Sequence, residues 1–263
     1  KFASIPDQEG FRLGEIRKCL EAHGTALTDL DAVVGRGGLL RPIESGTYEV
    51  NDKMLADVRS CKWGAHASNL GAPLAVRLAH EGGCRKAFIV DPVVVDELGP
   101  LARYSGLPEI ERRSIFHALN QKSVARRAAS DLGKPYEQCN FIIAHMGGGI
   151  SVGAHDHGRV TDVNNALDGD GPFSPERAGS LPAGGLVRLA FSGRYDQPTL
   201  LKMITGRGGI VAHLGTSDFR EVRRRMAEGD EKAKLLFEAL AYQVSKEIGA
   251  CAAVLEGKVD AVI

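Results

Sequence analysis

The sequence predicts an α/β fold in which mixed sheets are flanked by helices. Three observations predict it. Short apolar runs of strand length alternate with amphipathic stretches of helical length. Three of the runs follow one another as a meander around Gly147-Gly148-Gly149, and a long helical stretch near the end leads into a last apolar run.

Taken in order, Phe11, Leu13, Ile16, Cys19 and Leu20 recur at helical spacing and predict a first helix. Residues 31–35 read as a strand, and residues 73–80 as a helix entered through Pro73 in its first turn. Residues 87–91 form an apolar strand ending in the carboxylate of Asp91. A helix follows over 117–132. The meander comes next, with an apolar run at 141–144, strands at 151–155 and 159–163, and a tight turn at Asp156-His157-Gly158 between the last two. Residues 162–179 hold three aspartates, an arginine and several Gly and Pro, and predict a long non-helical loop. Helices resume near Gly184; Asp218 and Glu221 suggest a capping box for the one carrying Arg223-Arg224-Arg225, and residues 230–256 are helical. The chain closes on an apolar strand at 259–263.

A chain of 263 residues, 43% hydrophobic and 25% charged, suffices for one large domain or two medium ones. The Gly- and Pro-rich stretch at 98–108 is the predicted crossing, giving domains 1–97 and 98–263. Thirty-three basic residues balance thirty-three acidic ones, so no global field favours nucleic acid or an anionic membrane. The arginine cluster is interleaved with Glu221, Glu228 and Glu231 and reads as a solvated helix face. Five scattered cysteines without a CxxC pair read as free thiols filling core positions in a cytoplasmic protein. No apolar run approaches a membrane span. The first residue is Lys1 and the last apolar run is uncapped, so the sequence is expected to be part of a longer polypeptide.

The most informative segment is His145-Met146-Gly147-Gly148-Gly149-Ile150-Ser151. Three glycines between two strands let backbone N–H groups approach an anion and permit positive φ if the turn needs it. Rossmann and Walker loops run from strand to helix, and this one runs from strand to strand. Gly149-Ile150-Ser151-Val152-Gly153 also spells the nucleophile elbow of α/β-hydrolases, with His213 downstream, but an elbow serine stands on a strand-to-helix turn. His80-Glu81-Gly82-Gly83-Cys84 is a partial zinc-protease pattern interrupted by glycines, and the aspartates of 162–179 lack the spacing of an EF-hand.

The run 115–122, the glycine segment 144–151 and the loop 162–181 closely resemble the butyrate kinases of the acetokinase family, within the superfamily of sugar kinases, actin and heat-shock chaperone ATPases. The likeness extends to Gly35-Arg36-Gly37-Gly38, His66-Ala67-Ser68-Asn69-Leu70-Gly71, residues 90–97 and Gly215-Thr216-Ser217-Asp218. It implies a two-domain actin-like ATPase fold, with duplicated ribonuclease H-like domains and an interdomain cleft. It also implies ATP bound to the second domain, Mg²⁺, and reversible γ-phosphoryl transfer to a short-chain carboxylate, giving an acyl phosphate and ADP in a homodimer or larger homo-oligomer. Residue by residue, it implies that Arg36 binds the acyl carboxylate or incoming phosphoryl group, with His66 nearby. Asp91 would hold Mg²⁺ or the nucleophile, His117 and Arg177 the transferring phosphoryl group, and His145, Gly147, Gly148 and Gly149 the nucleotide phosphates. Acetate or propionate kinase, and a catalytically silent nucleotide-binding protein of the same fold, are the alternatives. The family's opening phosphate loop and its closing Gly-Gly loop and glutamate have no counterpart in these residues, so a chain limited to them is expected to bind ATP weakly.

Overall fold

The computed structural model describes residues 2–84 and 86–263; Lys1 and Arg85 lie outside the described residues. The chain divides into two compact units, residues 1–96 and 97–263.

In the first unit the elements are α1 (Glu9–Ala22), β1 (Val33–Arg36), β2 (Thr47–Glu49), α2 (Asp52–Ser60), α3 (Gly71–Gly82) and β3 (Ala87–Val90). β3 is central, parallel to β1 and antiparallel to β2. α3 lays Ala75 and Ala79 on the sheet against Ala87 and Val33. Small residues let helix and sheet approach closely. A Cβ on Gly35 would strike the backbone of Gly71, and one on Gly71 would strike the Arg36 carbonyl. The apolar stripe expected on α1 is only partly used: Leu13 is buried, whereas Phe11 is exposed and packs on Phe2 with ring centroids 5.5 Å apart. Arg17 pairs with Glu81 of α3 at 2.6 Å, so charge as well as apolar contact holds α1. β2 and α2 went unforeseen. α2 is capped by Asn51, whose side chain accepts from Met54 N–H, and it buries Met54 and Val58 one turn apart.

The second unit holds α4 (Ala118–Asp131), β4 (Asn140–Met146), β5 (Ile150–Asp156), β6 (Arg159–Val163), α5 (Ala183–Ala190), α6 (Gln197–Thr205), α7 (Ile210–Leu214), α8 (Phe219–Ala227), α9 (Glu231–Val254) and β7 (Ala261–Val262). The sheet order is β6-β5-β4-β7, antiparallel except for the parallel β4–β7 pair. The meander is therefore present, with His157 and Gly158 both at positive φ in its second turn. Both faces of the sheet are covered, which explains why the strands are apolar runs rather than alternating ones. Phe141 and Ile143 pack under α4 with Ala125, Ala129 and Tyr136; Ile142, Ile150, Val152 and Ala154 pack under α9 with Leu240, Val244 and Leu255.

Asp218 caps α8 by accepting from Arg220 N–H, and Asp230 caps α9 by accepting from Ala233 N–H. The expectation that cysteines fill the core holds for two of the five. Cys139 and Cys251 are buried, and burial pushes the Cys251 thiol up to about 12. Cys61 and Cys84 are half-buried and Cys19 is exposed. Among the described residues no helix is long and apolar enough to cross a membrane.

Candidate functional site

In the second unit the site grows from the β4–β5 hairpin. The register pairs His145 with Ser151 and Met146 with Ile150, leaving Gly147, Gly148 and Gly149 as the turn, closed by Gly147 N–H to the Gly149 carbonyl at 3.0 Å. None of the three takes positive φ, contrary to one reason expected for their presence. What they supply is room. A Cβ on Gly149 would fall on the Arg177 guanidinium, one on Gly147 would come within 3.2 Å of His145 Nε2, and Gly148 is exposed.

Arg177 reaches this position because its loop is tied to the hairpin. Ser174 Oγ donates to the Gly148 carbonyl at 2.7 Å and accepts from Arg177 N–H at 3.1 Å. The guanidinium also donates from Nη1 to the Ala166 carbonyl, and burial pushes it below the ordinary arginine value. Asn164 anchors the start of the same loop, accepting from Val152 N–H at 2.7 Å and donating to the Ile150 carbonyl at 3.2 Å. Asp170 accepts from Asn165 N–H, so at least one loop aspartate is structural.

His117 is the N-cap residue of α4. Its ring stacks on His145 with centroids 3.8 Å apart and planes 16° from parallel. His145 Nδ1 lies 2.7 Å from Asn120 Oδ1, which can only accept, so that nitrogen carries a proton. His117 Nδ1 lies 2.9 Å from Ser151 Oγ. Thus the serine of the elbow-like motif does meet a histidine, but it is His117 and not His213. Ser151 is fully buried within β5, where no carbonyl substrate can approach it. Beside the hairpin a cavity of about 650 Å³ is lined by Met146, Gly148, Ile150, Phe219, Phe237 and Val244.

The first unit carries Arg36, His66 and Asp91. Arg36 ends β1 and pairs in register with Val90, so Arg36 and Asp91 emerge together at the carboxyl edge of two parallel strands, where open α/β sheets bind ligands. Asp91 is 2% exposed, at φ 38°, and its Oδ1 accepts from Gly46 N–H at 2.8 Å. His66 caps the turn Ala67–Leu70, its Nδ1 accepting from Ser68 N–H at 3.2 Å. The 37–40 loop is pinned by Asn69, which accepts from Leu39 N–H at 2.9 Å and donates to the Gly64 carbonyl at 2.9 Å.

Reading the sequence missed Ser174, Asn164, Asn69, Gln121 and Ser151 as residues that hold the site. Each is a polar side chain that is almost wholly buried, a property no local pattern shows.

The family model described as "Acetokinase family" matches residues 108–263, the whole of the hairpin and its surroundings. A protein of Listeria innocua named "Probable butyrate kinase" is 55% identical over 262 residues, covering 100% of this chain and 74% of the relative. The chain belongs to the acetokinase family. Another relative, "Butyrate kinase 2" of Clostridium acetobutylicum, is also 55% identical over 262 residues and is covered to 73% of its length. Among solved structures, the acetate kinase of Porphyromonas gingivalis superimposes with a TM-score of 0.77 at 24% identity, over 90% of this chain and 62% of that one, which establishes the acetate-kinase fold. The acetokinase chain therefore spans about three quarters of the relatives and about three fifths of that structure.

Proposed function

We propose that the protein is a butyrate kinase, transferring the γ-phosphoryl group of ATP reversibly to butyrate or a branched short-chain analogue to give acyl phosphate and ADP. The observation that carries this reading is the glycine hairpin seated against the Arg177 guanidinium and opening beside an apolar cavity of about 650 Å³. Phosphates would meet backbone N–H groups and a cation there, next to a space of nucleoside size. The acyl group follows from the relatives, named butyrate kinases at 55% identity over the full chain.

The chemistry asks little of acid or base. A carboxylate is already anionic at neutral pH, so one of its oxygens attacks the γ-phosphorus directly while the bond to the β-bridging oxygen breaks and its electron pair leaves with ADP. The protein's task is alignment and charge neutralisation. Arg36 would take the carboxylate, with His66 beside it; His117 and Arg177 would hold the transferring phosphoryl oxygens, and His145 with Gly147, Gly148 and Gly149 the nucleotide phosphates. Asp91 fits a Mg²⁺ ion that arrives on the phosphates, since one strand-end carboxylate suits a cation that keeps most of its ligands on phosphate and water. That ion would neutralise phosphate charge. A cytoplasmic homodimer or larger homo-oligomer is the form we infer for this enzyme.

Acyl-phosphate formation by the full-length protein with acetate, propionate, butyrate, isobutyrate and valerate tests the assignment. Butyrate or isobutyrate should be preferred. Preference for acetate or propionate would overturn the substrate, and inactivity with all five would overturn the enzyme.

A further inference from the structure

Behind His117 the second unit buries a chain of polar side chains that phosphoryl transfer itself does not call for. Gln121 of α4 is wholly buried, and its Nε2 lies 3.0 Å from the Ser151 carbonyl and 2.9 Å from Ser151 Oγ. A carbonyl can only accept, so this end of the amide is the NH₂ and Oε1 points the other way. Oε1 lies 3.0 Å from His155 Nε2, which must therefore donate. His155 is fully buried, and burial first, then the Lys122 charge, depress its ring to about 3, so it is neutral at physiological pH. A neutral ring protonated at Nε2 has a bare Nδ1, and Tyr136 hydroxyl donates to it at 2.6 Å.

The same logic runs towards the site. Ser151 Oγ accepts from Gln121 Nε2 at 2.9 Å and from His117 N–H at 3.5 Å, which takes both lone pairs, so its own proton goes to His117 Nδ1, 2.9 Å away. The flanking ion pair locks the arrangement: Lys122 Nζ bonds Glu97 Oε2 at 2.6 Å and the Gly158 carbonyl at 2.8 Å, and Glu97 also accepts from Val160 N–H. We propose that Tyr136, His155, Gln121 and Ser151 form a positioning relay that holds His117 as the neutral tautomer protonated on Nε2, oriented as a hydrogen-bond donor to an anionic phosphoryl oxygen.

The direction of every bond in the relay follows from backbone groups. The Ser151 carbonyl orients Gln121, and Gln121 then sets His155 and, together with the His117 N–H, the Ser151 hydroxyl. Protonating His117 at Nδ1 would bring a third donor to a hydroxyl oxygen whose two lone pairs are taken and leave the Ser151 proton without its acceptor, so the relay opposes the imidazolium. None of the four relay residues touches substrate. They act through His117, and the role assigned to His117 rests on the kinase reading.

The test uses the full-length protein with ¹⁵N-labelled histidine. In the wild type, His117 and His155 should both show a bare Nδ1 and a protonated Nε2. Gln121→Glu keeps the shape but removes the donor: its carboxylate takes the Ser151 proton, Ser151 Oγ then accepts from His117, and the His117 proton should move to Nδ1. Its kcat should fall about tenfold to a hundredfold, with KM for ATP and carboxylate within about threefold. Ser151→Ala is a second, smaller lesion should the buried carboxylate prevent folding; it should give a mixture of tautomers and a kcat loss of the same kind.

A proton on Nδ1 of wild-type His117, or variants with unchanged tautomer and kcat, would overturn the relay. So would a loss confined to thermal stability, which is what a merely structural cluster predicts. Because the spectra need no turnover, a wrong tautomer sinks the relay while leaving the kinase reading intact, and the expected tautomer in an inactive protein does the reverse.

Discussion

The two units hold their candidate site residues by different means. In the first, contacts to backbone do the holding: Asp91 is fixed by Gly46 N–H, His66 by Ser68 N–H, the 37–40 loop by Asn69 on Leu39 N–H, and the end of β1 by the mutual approach of Gly35 and Gly71. In the second, side chains hold side chains across long sequence separations, Ser151 to His117 and Asn120 to His145, and the Ser174 side chain ties its loop to the Gly148 carbonyl. A backbone frame fails as a whole when it fails. A side-chain network can lose one member and stay folded, with a site that is present but misaligned.

Two glycine substitutions put that contrast under load. Gly71→Ala drives a Cβ into the Arg36 carbonyl, and backbone cannot swing aside. The expected cost is about 3 kcal/mol of stability in the first unit. Trp63, the one tryptophan in the sequence, lies in that unit and reports it by fluorescence in urea. Gly149→Ala drives its Cβ into the far end of a flexible side chain, the Arg177 guanidinium, which can move. Stability by far-UV circular dichroism should fall by less than about 1 kcal/mol, while kcat/KM falls about a hundredfold because a cation has left its place. Equal stability losses in the two variants would erase the distinction.

The contrast also explains what could be read in advance. Strands β4, β5 and β6 and helices α4 and α9 were legible because their apolar periodicity is their own property. β2 is three residues at a sheet edge and shows none, and on α1 the apolar stripe misleads, since Phe11 turns outward to Phe2. Arg36, His145 and Arg177 stood out as polar residues in or beside glycine-bearing loops and Asp91 as a carboxylate at a strand end, whereas His117 was marked by the family resemblance. Gln121, His155, Asn164 and Ser174 were silent, because a buried polar residue declares itself only through partners, and theirs lie up to 34 residues away. Ser151 was noticed for the wrong reason. Its motif suggested a nucleophile, whereas its burial and bonds make it part of the support for His117.

Acidification separates the units by which buried group titrates first. His155 has a folded value of about 3 against 6.5 for a free imidazole, so the unfolded chain binds the proton more readily. Its contribution is fully present above pH 6.5 and is lost as pH falls towards 3, at about 1.4 kcal/mol per pH unit. In the first unit the corresponding group is Asp57, held down to about 2 from 3.8 chiefly by its hydrogen bonds from Arg41, at 2.7 and 3.0 Å. That contribution persists above pH 3.8 and fades only below it. Between pH 7 and 4.5, therefore, the urea midpoint followed by far-UV circular dichroism, which weighs the larger second unit, should fall by an amount equivalent to about 2–3 kcal/mol. The Trp63 midpoint should stay almost still over the same range. His155→Gln should flatten the acid limb of the first signal and leave the second alone. If both midpoints fall together in the wild type, the two units unfold as one cooperative body, and the backbone frame and the side-chain network share a single stability.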